Sequence, residues 1–164
     1  MNANAFRQYY DYHFTTNRRL WDICLQALTP EQFTQTVGYS RGSAHDQIVH
    51  LMDVDEAWFS DLRGVTPGAP LTPAQLADPA ALRAHWDLVE DQMRAYLAAL
   101  RDVMLLERPF TEGEDKDLIL WQVLLHVVNH GTDHRAQLLR LLNDVGVKTP
   151  PQDYVFYAYE HPVK

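Results

Sequence analysis

Apolar residues recur along this chain at the three- and four-residue intervals of amphipathic helices, in four long stretches. The first covers Asn4 to Leu28, where Phe6, Tyr10, Phe14, Leu20, Ile23 and Ala27 fall mostly on one face. Thr29-Pro30 closes it, because the residue before a proline avoids helical backbone angles. The second opens at Ser43, with Asp46 three residues on as an approximate capping box, and runs through Ile48, Leu51, Val54, Trp58 and Leu62 to Gly64. A third stripe, Leu82, Trp86, Val89, Met93, Tyr96, Leu97 and Leu100, predicts a helix from about Pro79 to Leu106. The fourth runs from about Leu118 to Val145 and stops before Gly146, where a left-handed cap is usual.

Between the second and third stretches, Gly64 to Pro79 contains four prolines and two glycines, which cannot sustain a regular element and predict a long surface crossing. After Gly146, the segment Val147 to Lys164 carries Pro150-Pro151 and then Tyr154, Val155, Phe156, Tyr157 and Tyr159. That is too aromatic for a free tail and predicts a short turn or helix packed on the rest. The expected fold is all-α: a four-helix bundle with one long crossing loop and a short packed C-terminal segment, forming a single domain over residues 1–164. Such bundles build metal sites from inward-facing side chains of neighbouring helices.

Composition narrows the function. The 164 residues are 46% hydrophobic and 22% charged, enough for one well-buried core. Acidic residues outnumber basic ones by 22 to 14, and no run of lysine or arginine offers a phosphate-binding stripe, so nucleic acid is not an expected direct ligand. No apolar run approaches membrane-spanning length, and the opening residues lack a basic segment followed by an apolar core. Cys24 is the single cysteine, which excludes an intrachain disulfide or a thiolate cluster within one chain. A cytoplasmic protein fits best.

The most specific chemistry lies in the fourth stretch, where His126, His130 and His134 follow one another at four-residue intervals. Each such step advances about 6 Å along a helix and turns only about 40°, so His130 and His134 can aim at one atom. Imidazole nitrogen is the commonest side-chain donor to transition metals, and such a pair supplies two bonds of a coordination sphere; hydrogen-bonded core rings are the alternative. Two histidines hold a metal poorly, and the second stretch offers His50, four residues before Val54 and eight before Trp58. On that apolar stripe an unpartnered ring would bury a polar nitrogen, so the position asks for a ligand or a hydrogen bond.

At these residues the chain resembles the DinB superfamily, the damage-inducible and YfiT-like four-helix bundles. The resemblance spans nearly the whole sequence and rests on Asn17-Arg18-Arg19-Leu20, on the run from Ser43 to His50 leading to Asp55-Glu56-Ala57-Trp58, and on Pro150-Pro151-Gln152-Asp153-Tyr154. Its most specific part is Leu125 to His130 followed by His134-Arg135-Ala136-Gln137. Asp133 stands where many members carry another histidine, and Ala136 replaces a common glycine. The resemblance implies a divalent metal held by His50, His130 and His134, zinc or nickel first, with iron or manganese also suited to three imidazoles. His126 also falls on the ligand face and is an alternative to His130, but the resemblance gives it a structural role, hydrogen-bonding across the bundle. Asn129 and Gln137 are candidate partners for the ligands' second nitrogens. His13, His45, His85 and His161 have no partner at useful spacing and are treated as ordinary polar or interface residues.

Three neutral ligands leave open positions for water or substrate, a catalytic form of site. The metalloprotease arrangement is absent, because Gly131 follows His130 and no glutamate base lies within the pair. Asp46 and Asp53, each about one turn from His50, are the nearest acids, and Arg135 is a candidate for binding a carboxylate or pairing with an acid on an adjacent helix. By resemblance the expected activity is a metal-dependent reaction on a small molecule. Thiol S-transfer with a bacillithiol- or mycothiol-like partner comes first and hydrolysis next; the rival is a non-catalytic stress-response or interaction protein with a structural metal. A homodimer is expected.

Overall fold

A computed structural model describes residues 1–162; Val163 and Lys164, the last two residues of the expected C-terminal segment, lie outside the described residues. The fold is all-helical. The α-helices are α1 (Ala3–Ala27), α2 (Pro30–Thr34), α3 (Ala44–Arg63), α4 (Pro73–Ala77), α5 (Pro79–Ala99), α6 (Leu120–Asp144) and α7 (Tyr154–Glu160). Short 3-10 turns at Asp102–Leu106 and Glu114–Asp117 join α5 to α6. Among the described residues there is no strand, and no helix is long and apolar enough to cross a membrane.

Side-chain caps explain most of the boundaries. Asn2 accepts from the Ala5 amide to start α1, and Ser43 accepts from the Asp46 amide at 3.0 Å to start α3. Ser43 also donates from its hydroxyl to the Asp46 carboxylate at 2.7 Å, so the aspartate three residues on braces the cap through the serine side chain. Thr29-Pro30 ends α1 and at once begins α2, since Thr29 and Gln32 form a full capping box with proline in the first turn. Thr72-Pro73 with Gln75 repeats that device in α4, inside the segment expected to be an irregular crossing.

The helix expected to reach Leu106 stops at Ala99. Arg7 of α1 donates to the carbonyls of Leu97 and Leu100, both at 3.1 Å, and this cation satisfies the free carbonyl end of α5. Leu100 is already extended, and the chain resumes as a 3-10 turn. The end of α6 follows expectation: Gly146 has φ 81°, a left-handed angle at which a side chain would be strained, and the Val147 amide donates back to the Leu142 carbonyl at 2.9 Å.

Helix α3 packs against both α5 and α6, and α1 packs against both α5 and α6. One buried cluster draws Phe6, Tyr10 and Phe14 from α1, Ile48 and Leu51 from α3, Leu82 and Met93 from α5, and Leu124 and Leu138 from α6. Each such side chain contributes about 1.5–3 kcal/mol on burial. The sequence stripes locate this core, except that Ile23, Val54, Trp58, Leu62 and Tyr96 are half-buried and Ala27 is exposed. The α3–α6 contact is the one that matters for chemistry.

Candidate metal centre

His50 leaves α3 towards α6, where His130 and His134 lie one turn apart. A nitrogen from each of the three rings lies within 4.8 Å of the other two. The His50 ring centroid is 5.1 Å from that of His130 and 4.4 Å from that of His134, and those two are 4.4 Å apart. All three residues are half-buried, so the cluster has an open side. Desolvation by their neighbours, reinforced for His50 by Arg41 and His134, pushes its pKa down to about 4. Burial and then His134 push His130 down to about 4. Burial also lowers His134, with Asp133 acting in the opposite sense. Around neutral pH the three rings therefore keep their lone pairs, and the donor set fits a divalent cation.

Gln47, three residues before His50, orients one of the rings. His134 donates from Nδ1 to Gln47 Oε1 at 2.9 Å, which fixes its tautomer and leaves Nε2 as the free donor. Gln47 is itself held by Ser40 and by Gln137, whose Nε2 donates to Asp133 at 3.0 Å. Gln137 thus sits one bond further from the ligands than expected. Asn129 is exposed and makes no side-chain hydrogen bond among the described residues. Gln47 carried no signal in the sequence, since its relation to His134 depends on how α3 and α6 align.

His126 stays outside the cluster. Its ring is 5.9 Å from that of His130 and 5.2 Å from Trp58, itself 6.0 Å from Phe110. It is exposed and, among the described residues, makes no side-chain hydrogen bond, so the expected bond across the bundle is replaced by aromatic contact.

Beneath the cluster lies a buried network that the spacing of histidines did not reveal. His13, expected to be an ordinary polar or interface residue, is fully buried. Arg135, also 0% exposed, donates to His13 Nδ1 at 3.0 Å and to Asn17 Oδ1 at 2.9 Å. Because Nδ1 accepts, His13 must donate from Nε2 to Asp55, 3.0 Å away. A neutral imidazole therefore bridges a buried guanidinium and a buried carboxylate, and Arg135 faces α1 and Asp55 instead of the open cluster. A Cβ at Gly131 would come within 2.5 Å of the His13 ring and 2.9 Å of Arg135 Nη1. Glycine between His130 and His134 is what lets α1 approach α6 here.

The other histidines are partnered locally. His45 bonds the Leu76 carbonyl at 2.8 Å, His85 bonds Glu56 at 2.9 Å, and His161 bonds the Tyr157 carbonyl at 3.0 Å. Of the two nearby acids, Asp46 is occupied in capping α3; burial raises its pKa, but bonds from Ser43 and His45 outweigh this and leave it lowered. Burial and the neighbouring Glu56 raise that of Asp53. Cys24 is buried, and burial pushes its thiol up to about 12.

The whole described chain has known relatives. The profile of the DinB family matches residues 1–162. Protein DinB of Bacillus subtilis (strain 168) is 25% identical over 168 residues, covering 97% of this chain and 96% of that protein. With its His50–His130–His134 cluster and a match that runs from end to end of the described residues, the chain belongs to the DinB family.

Proposed function

We propose that this protein is a single-domain four-helix bundle that holds a divalent metal on His50, His130 and His134 and acts as an enzyme on a small molecule. Thiol S-transfer is the favoured reaction, and metal-dependent hydrolysis comes second. The observation that carries the reading is the meeting of three uncharged imidazole nitrogens within 4.8 Å at an open, half-buried position. A purely structural ion would be expected to be enclosed by four protein ligands, whereas this donor set supplies three. Zinc or nickel suits it best by affinity order. No membrane or nucleic acid is involved in this reading, and the protein acts in the cytoplasm as a homodimer. The exposed apolar residues Val155 and Phe156 support pairing with a second copy.

When bound, the ion supplies Lewis acidity that makes a thiol or water nucleophilic near neutral pH. The remaining work falls to the chain. Gln47 holds His134 in the required tautomer. With Asp46 committed to the helix cap, Asp53 is the acid one turn from His50 left to accept a proton; its raised pKa moves it towards the range useful for a base. In S-transfer to an epoxide, the thiol proton passes to this base and sulfur bonds to carbon. The C–O bond opens, and the proton returns to the oxygen. Cys24 supplies no nucleophile because it is buried and protonated.

The test is metal content by elemental mass spectrometry on untagged protein from its own host, beside a His130→Ala, His134→Ala double variant. It is paired with conjugation of low-molecular-weight thiols to an epoxide by wild type and His50→Ala. Near-stoichiometric metal lost in the double variant, with turnover lost in His50→Ala, is expected. Metal that stabilises folding while no thiol or ester substrate turns over would favour a structural ion. Absence of metal after supplementation would overturn the reading.

A further inference from the structure

We propose that Arg41 is the anion-binding residue of this centre, taking the carboxylate of a small substrate whose apolar part lies towards Trp58 and Phe110. The inference rests on the metal reading above and adds the substrate's chemical class.

Arg41 Nη2 donates to His50 Nδ1 at 2.9 Å. A guanidinium only donates, so Nδ1 offers its lone pair to Arg41 and the neutral ring carries its proton on Nε2. His50 cannot keep this bond and also ligate a cation. Ligation through Nδ1 uses the lone pair that Arg41 holds. Ligation through Nε2 moves the proton to Nδ1 and sets donor against donor. Through either nitrogen, His50 releases Arg41 when it becomes a ligand.

The released guanidinium keeps Asp53 within electrostatic reach, but no bond joins the two among the described residues. Among the described residues Arg41 makes no ion pair, whereas Arg18, Arg83, Arg94 and Arg140 each pair with a carboxylate. Its position is built. The segment 37–42 is closed on itself by the Val37 amide donating to the Gly42 carbonyl at 2.6 Å and the Gly42 amide to the Tyr39 carbonyl at 3.2 Å. Ser40, immediately before Arg41, has φ 53°, a left-handed angle unusual for serine that surrounding contacts must hold. Its hydroxyl is bonded to Gln47 of α3 and Gln137 of α6, which pins the segment over the junction of the two helices that carry the ligands.

Charge selects the occupant. Three neutral imidazoles do nothing to offset a doubly positive ion, and Arg41 adds a further charge beside it. Of the acids around the cluster, Asp55 is committed to His13, Asp133 accepts from Gln137, and Asp53 lies beside the like-charged Glu56. An anionic substrate is the group that completes this balance, and a guanidinium fork matches a carboxylate in shape. Two turns along α3 from His50, Trp58 packs on His126 and Phe110 and forms an uncharged aromatic wall beside His130. Arg41 bonds His50, whereas this wall adjoins His130 through His126, so the ligand that satisfies both has an anionic end and an apolar, preferably planar, end.

The test loads the full chain with cobalt(II) and follows its visible spectrum on titration with phenylacetate, acetate and phenylacetamide, in wild type, Arg41→Ala and Arg41→Lys. Phenylacetate should perturb the spectrum at lower concentration than acetate, and phenylacetamide should not. Arg41→Ala should weaken phenylacetate about 10- to 100-fold, the size of a lost charge-assisted pair. Arg41→Lys should recover part of the loss, while cobalt uptake stays intact or tightens because its competitor for His50 is gone. Equal phenylacetate binding by wild type and Arg41→Ala, both loaded with cobalt, would overturn the role of Arg41 and leave the metal reading standing. Failure of wild type to take up cobalt would overturn both.

Discussion

Arg135 and Asp55 never touch: the neutral ring of His13 stands between them, accepting from the guanidinium at 3.0 Å and donating to the carboxylate at 3.0 Å. Three helices, α1, α3 and α6, are joined through one imidazole directly beneath the histidine cluster. The cost of desolvating both charges is offset only while every link is present.

Asp55→Ala should therefore destabilise the protein by about 3–5 kcal/mol, since it leaves the buried Arg135 charge without its counter-charge. The double variant Asp55→Leu, Arg135→Met removes both charges and should recover much of the loss. Urea unfolding of the metal-free single and double variants checks this; equal losses in the two would show that packing, not charge, dominates.

Gly131→Ala introduces a methyl group 2.5 Å from the His13 ring. The ring and Arg135 sit in a filled interior and cannot yield cheaply, so a loss of about 1–3 kcal/mol is expected although alanine is the better helix former by about 1 kcal/mol. A melting temperature equal to or above wild type would contradict the close approach of α1 to α6.

Gln47→Leu keeps the buried volume at α3 but removes the acceptor for His134 Nδ1. Metal affinity should fall about 10- to 100-fold while helix content stays unchanged, because the ring loses its fixed tautomer and orientation. Competition with a chelating dye measures it, and unchanged affinity would remove Gln47 from the site.

Cys24 should resist alkylation in the folded protein even at about pH 9, since burial holds its thiol protonated up to about 12 and also blocks access. Iodoacetamide labelling followed by mass spectrometry should show modification only after denaturant is added. Rapid labelling of the native chain would place Cys24 outside the core.

The sequence by itself determined the four long helices, because their apolar periodicity and most of their caps are local: Ser43 with Asp46, Thr29-Pro30 and Gly146 each act within one turn. It also determined the spacing of His130 and His134, which one helix fixes without outside help. Only the tertiary structure decided the rest. That α5 stops at Ala99 depends on Arg7, more than ninety residues away, reaching its last carbonyls. That Gln47 faces His134, that Arg41 reaches His50 and that His13 bridges Arg135 to Asp55 all depend on how α1, α3 and α6 align. A side chain's rotation about its own helix is written in local periodicity, but its neighbour on another helix is set by the packing of the whole core, which no local pattern encodes.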